Sequence, residues 1–100
     1  MVLLINCFEV PAGREDEFLR LWTRVNDHMR TRAGYRSHAL QRSLDPSARY
    51  RFVNIAEWDS AEDLRAGHDA RFRELASGPE WAVFPATPAV YETVHEGAAS

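Results

Sequence analysis

The stretch FVNIAEWDSAEDLRAGHDARF, residues 52–72, decides how the chain is read. Its first seven residues alternate, so an extended strand puts Phe52, Asn54, Ala56 and Trp58 on one side and Val53, Ile55 and Glu57 on the other. Ser60, with Asp63 three residues on, approximates a capping box and opens a helix expected to run through about Ala76. On that helix Leu64, His68, Phe72 and Leu75 recur at helical spacing and form an inward stripe. A strand hands over to a helix, and each carries one polar group, Asn54 or His68, on its apolar side.

The same reading extends in both directions. Val2 to Val10 is an apolar, partly β-branched strand closed by the turn PAG. From Arg14 to about Arg32, Phe18, Trp22, Val25 and Met29 mark one face of a first helix, which AGY at 33–35 ends. Arg36 to Ser43 reads as a second strand, and the Asp-Pro turn in LDPSAR returns the chain as the strand Tyr50 to Trp58. SGPEW stops the second helix, the prolines of AVFPATP argue against regular structure there, and Ala89 to Val94 makes a last short strand before EGAAS frays. Strand, helix, strand, strand, helix, strand is the βαββαβ order of an α+β, ferredoxin-like domain, with two helices on one face of an antiparallel sheet. One such domain fills residues 1–100, with its ordered part about 2–95. The sheet face without helices is expected to be buried against a second copy, giving a homodimer.

Composition narrows the function classes. A net charge of −3 leaves no electrostatic footprint for nucleic acid or an anionic membrane. All 12 basic residues are arginine, which suggests a GC-rich bacterial genome. The opening MVLLINCFEV is too short an apolar run for a signal peptide or a membrane span, so a cytoplasmic protein is expected. The single cysteine, Cys7, can form no internal disulfide and reads as a packed strand side chain, and no zinc-ligand spacing exists.

Alternation in the first strand groups Leu4, Asn6, Phe8 and Val10. If the asparagine sides of both strands face the helices, Asn6, Asn54, Trp58 and His68 converge in a mostly apolar space, the usual make-up of a small-molecule pocket. Phe8, Phe52, Leu64, Phe72, Trp22 and Trp81 are the candidates for its walls. Plain structural roles compete with this. A buried asparagine can bond a loop carbonyl, a tryptophan at a strand end buries area, and His68 can be a hydrogen-bonded core histidine. Trp22, like Phe18, is most simply core; Trp81 is either a plug over the core or part of a lid. His28 falls at the edge of the first helix's stripe, and His38 and His95 read as surface residues.

The segments INCFEVPAGREDEFLRLW, GYRSHALQRSLDPSARYRFVNIAEWDSAEDL and PAVYETV together resemble the antibiotic biosynthesis monooxygenase family of small dimeric α+β barrels, most specifically at VNIAEWDS. The resemblance implies a monooxygenase that needs no cofactor and converts anthrone-like polyketides to quinones with molecular oxygen. It implies pocket roles for a first-strand asparagine and an Asn-x-x-x-Trp pair, which are Asn6, Asn54 and Trp58 here. An ionised phenol or anthrone can itself reduce oxygen, so the protein has to stabilise an anion. Neutral amides in a dry pocket suit that task, at about 3 kcal/mol per donor. The Trp58 indole offers a third donor. His68 as the proton acceptor is read from its residue type alone.

Haem-binding or haem-degrading relatives are the alternative, with haem as cofactor. They pair the first-strand asparagine with a tryptophan in the second helix and an iron-ligating histidine further on, where this chain has Gly67 and Ala76. A barrel that only binds a small apolar molecule is the third reading.

Overall fold

The computed structural model describes all 100 residues. In chain order its elements are β1 (Val2–Phe8), α1 (Glu15–Met29), β2 (Tyr35–Arg42), β3 (Phe52–Trp58), α2 (Ala61–Gly67), α3 (Ala70–Ala76), a 3-10 turn (Pro79–Trp81) and β4 (Ala86–Tyr91). The four strands form one antiparallel sheet in the order β2-β3-β1-β4, a ferredoxin-like α+β fold with the helices on one face. Gly34, at φ +83°, turns the chain from α1 into β2 in a left-handed conformation that L side chains rarely adopt.

Register decides what meets across the sheet. On the helix side Phe8 lies opposite Phe52, Asn6 opposite Asn54, Leu4 opposite Ala56 and Val2 opposite Trp58. The two asparagines are thus direct cross-strand neighbours, close enough for their side chains to act on one group. The apolar core divides around them. Phe8, Phe52, Phe18 and Phe84 form one buried cluster, and Met29, Ala56, Trp58 and Leu64 form the other. An amide row between two greasy rows interrupts what would otherwise be one continuous core.

Two expectations about the elements need correction. The helix read from Ser60 to Ala76 is two helices, broken at His68 and Asp69. Ser60 does cap α2, accepting from the Asp63 N–H at 3.0 Å. His68, at ψ 66°, leaves that helix, and the Asp69 carboxylate starts α3 by accepting from the Phe72 N–H at 2.9 Å. An Asp side chain offered to a free backbone donor overrode an unbroken apolar period. Leu64, His68 and Phe72 still share the inward side.

The last strand runs Ala86–Tyr91 instead of Ala89 to Val94, so part of AVFPATP is regular structure, Pro88 included. β4 is an edge strand, where a residue without an N–H costs no inner ladder bond. On the opposite sheet face Leu3, Ile5, Cys7, Val53 and Ile55 are half-buried, and no helix of this chain covers them. No helix is long and apolar enough to cross a membrane.

Candidate functional site

Between the sheet and the helices lies a cavity of about 670 Å³, within the range of small-molecule sites. Its floor is the amide row, Asn6 and Asn54, flanked by Leu4, Phe8, Ala56 and Trp58. One wall comes from α1 through Trp22, Val25, Asn26 and Met29, and the other from α2, the break and α3 through Leu64, His68, Phe72 and Ala76. The four polar residues expected to converge, Asn6, Asn54, Trp58 and His68, all line it.

Three of the four carry a buried polar atom that lacks a partner. Asn6 Oδ1, Asn54 Oδ1 and Trp58 Nε1 are buried and make no hydrogen bond. Each such atom costs on the order of 1–3 kcal/mol, and a small domain near its minimum size has little stability to lose. A side chain kept only for packing at these places would be apolar. Trp58 is closely packed: it is 1% exposed, its ring meets Tyr35 edge-on at 5.1 Å, and the His68 ring lies 5.8 Å away. Gly67 makes room for it, since a Cβ there would stand 2.5 Å from Trp58 Cη2.

His68 sits at the C-terminal end of α2, where Nδ1 lies 2.6 Å from the Leu64 carbonyl oxygen. The carbonyl can only accept, so Nδ1 carries a proton, and in the neutral ring Nε2 is the lone-pair nitrogen. Its ring packs edge-on against Phe72 at 4.6 Å. The break that carries it is pinned from below. Asp69 bonds the His28 Nε2 at 3.0 Å and Arg32 at 3.3 Å, and it is held down to about pKa 2 chiefly by the Phe72 backbone N–H and then by the His28 bond. His28 is therefore a tie between α1 and the break.

The wall candidates sort as follows. Phe8, Leu64, Phe72, Trp22 and Trp81 line the cavity. Phe52 does not: it stacks on Phe18 at 4.9 Å within the aromatic cluster, one row beyond the asparagines. Trp81 is plug and wall at once. It meets Phe18 edge-on at 6.2 Å, and its Nε1 donates to the Leu75 carbonyl at 2.9 Å, so its polar atom is satisfied where that of Trp58 is not.

Sequence reasoning missed a polar cluster at the α1 side. The Tyr35 hydroxyl donates to Asn26 Oδ1 at 3.1 Å, and the Asn26 amide lies 3.3 Å from His38 Nε2. Burial pushes the Tyr35 hydroxyl up to about 12, against the opposing pull of the Arg30 charge and the Asn26 bond. His38 is corrected here from a surface residue to a half-buried one, edge-on to Trp22. A bulge between Tyr35 and Ser37 turns both Tyr35 and His38 toward the helices, which strict alternation does not foresee. The signal for Asn26 was present, four residues after Trp22 and three before Met29 on the inward stripe.

The sequence model of the antibiotic biosynthesis monooxygenase family matches residues 1–77, which include β1, β3, the break and every cavity-lining residue except Trp81, Ala86 and Pro88. A protein from Shewanella loihica described as a candidate monooxygenase is 29% identical over 95% of both chains, with a TM-score of 0.82. The fold is also that of SnoaB, a cofactor-independent oxygenase from Streptomyces nogalater, at 22% identity over 95% of this chain and 94% of that one, TM-score 0.79. It is shared too by the haem degrader MhuD of Mycobacterium tuberculosis, at 22% identity over 98% of this chain and 100% of that one, TM-score 0.73. No protein of curated function matches the sequence.

Proposed function

The chain belongs to the antibiotic biosynthesis monooxygenase family, and from that premise we propose that it oxidises an aromatic polyketide-like phenol or anthrone to a quinone with molecular oxygen and no cofactor. The observation that carries the reading is the set of three unpartnered buried atoms, Asn6 Oδ1, Asn54 Oδ1 and Trp58 Nε1, on one cavity. Each amide offers one acceptor and two donors. That combination suits a phenol hydroxyl before ionisation and a phenolate or enolate oxygen after it.

The reaction balances without an added reductant. His68 Nε2 takes a proton from the anthrone methylene, and the resulting enolate keeps its charge on an oxygen held by the Asn6 and Asn54 amides. One electron passes from the enolate to oxygen, and the two radicals combine as a carbon-bound peroxide anion. The peroxide takes up a proton, which His68 can return. Loss of the remaining methylene proton with cleavage of the O–O bond then gives the quinone carbonyl and water. The Trp58 indole N–H is the donor available to the peroxide. Neutral donors fixed before the charge develops reorganise little as it forms, which is the source of their effect.

Oxygen uptake with an anthrone tests this. The wild type is expected to consume one oxygen per quinone formed, and Asn54→Ala and Trp58→Phe to lose turnover by about a hundredfold or more while remaining folded. Turnover unchanged in both variants would overturn the reading.

Haem has one observation in its favour, the free Nε2 of His68. The remaining residues do not fit the expected degrader pattern. Position 67 has no space for a tryptophan, because even a Cβ collides with Trp58, and Ala76 has no ligating atom. A Soret shift on adding hemin that disappears in His68→Ala would restore that alternative.

The homodimer belongs to the same proposal. Leu3, Ile5, Val53 and Ile55 form an apolar strip that a second copy would bury. Sedimentation velocity is expected to give a dimer that Ile55→Glu splits; a monomeric wild type would contradict it.

A further inference from the structure

We propose that the cavity selects a flat aromatic acid, whose carboxylate is held at the mouth by Arg73; the inference rests on the reading of the cavity as a site for a fused-ring aromatic. Arg73 is the only arginine, lysine, aspartate or glutamate that lines it. It lies on α3 near Ala76 and Ser77, and Arg73, Ser77, Ala86 and Pro88 are the exposed members of the lining, so they mark the open side, with Pro88 the cross-strand neighbour of the floor amide Asn6.

The guanidinium has no carboxylate of its own. Of the carboxylates near it in sequence, Glu74 is taken by Arg71 at 2.9 Å, Asp69 by His28 and Arg32, and Glu80 by Arg24 at 3.1 Å. It is also oriented. Nη1 donates to the His68 carbonyl at 3.0 Å, which ties the head group to the break between α2 and α3 and leaves Nε and Nη2 uncommitted. Two parallel donors of an arginine match the two oxygens of a carboxylate. A ligand with a neutral polar oxygen at one end and an acid at the other would satisfy the floor and the mouth together. The acid can come from a fused-ring aromatic or from the propionates of a porphyrin, and the test separates these sources.

A competing role for Arg73 is to cap the His68 carbonyl and nothing more. Arg73→Gln keeps a donor for that carbonyl and removes the charge and the fork, so it distinguishes the two. The probes are rhein and aloe-emodin, dihydroxyanthraquinones that differ in bearing a carboxylate or a hydroxymethyl group, followed by quenching of tryptophan fluorescence. The wild type is expected to bind rhein about tenfold more tightly, as for a charge-assisted bond at a partly screened site. That preference should shrink with added salt. Arg73→Gln should abolish it and leave aloe-emodin binding unchanged. Hemin and hemin dimethyl ester form a second pair. A preference confined to that pair and lost in Arg73→Gln supports the carboxylate site, and overturns the fused-ring reading if neither anthraquinone binds. Equal binding of acid and neutral partner in both pairs, or a preference that survives Arg73→Gln, overturns the proposal and leaves the fused-ring reading standing if the anthraquinones bind. If no probe binds, both fall.

Discussion

Replacing Asn54 by leucine should make the protein more stable and nearly inactive. Asn54 is 8% exposed, its Oδ1 is buried without a partner, and Phe52 and Ala56 flank it along the strand on the same face. Leucine has a similar shape and no polar atom to strand. Removing one unsatisfied buried group recovers on the order of 1–3 kcal/mol. In a domain of this size each kcal/mol moves the melting temperature by roughly 4–8 °C, so a rise of roughly 4–24 °C is expected. Oxygen uptake should fall by about a hundredfold to a thousandfold, the usual consequence of losing one donor to a developing oxyanion. Differential scanning calorimetry and an oxygen electrode read the two effects on one sample. A leucine variant that melts at or below the wild-type temperature would mean that the amide is bonded in the folded protein. The argument that it is kept for a ligand would then fail.

Other expectations follow from single contacts. Gly67→Ala drives a methyl to 2.5 Å from Trp58 Cη2, and such overpacking costs about 1–3 kcal/mol, measurable by urea denaturation. Unchanged stability would show that the indole has room to move. Asp69 has its folded pKa depressed to about 2, so its contribution is present above the unfolded carboxylate value and lost as pH falls through about 2. Asp69→Asn, which can still cap α3, should therefore lower the melting temperature at neutral pH and make no difference at the acid end; an equal loss at both would count against the charge. Tyr35, raised to about 12, should give a late step in an ultraviolet titration of the tyrosines. Its neutral form is favoured by folding, so stability is lost as pH rises from the ordinary tyrosine value toward 12, and Tyr35→Phe should remove both effects.

The parts of the fold set by local rules were legible in the sequence. Alternation in FVNIAEW put Asn54 and Trp58 on one face, and the same rule applied to β1 brought Asn6 alongside. Ser60 announced its helix. Where a rule met a competing one, it misled. The inward spacing of Leu64, His68 and Phe72 reads as one helix, yet Asp69 restarts the backbone there, and the spacing survives because both helices press on the same cavity. Tyr35 and His38 were hidden by a bulge, which shifts the side chains of a strand without leaving a mark in composition. Pro88 was set aside as a breaker because its place on an edge is a property of the sheet order. Arg73 could not be singled out among 12 arginines until the cavity placed it at the mouth.

The most direct measurement is a crystal structure with a dihydroxyanthraquinone bound. The account predicts a ring oxygen within hydrogen-bond distance of the Asn6 and Asn54 amides, with the Trp58 indole N–H turned to the same ligand. A ligand seated elsewhere, or one that leaves both amides and the indole without a partner, would contradict it.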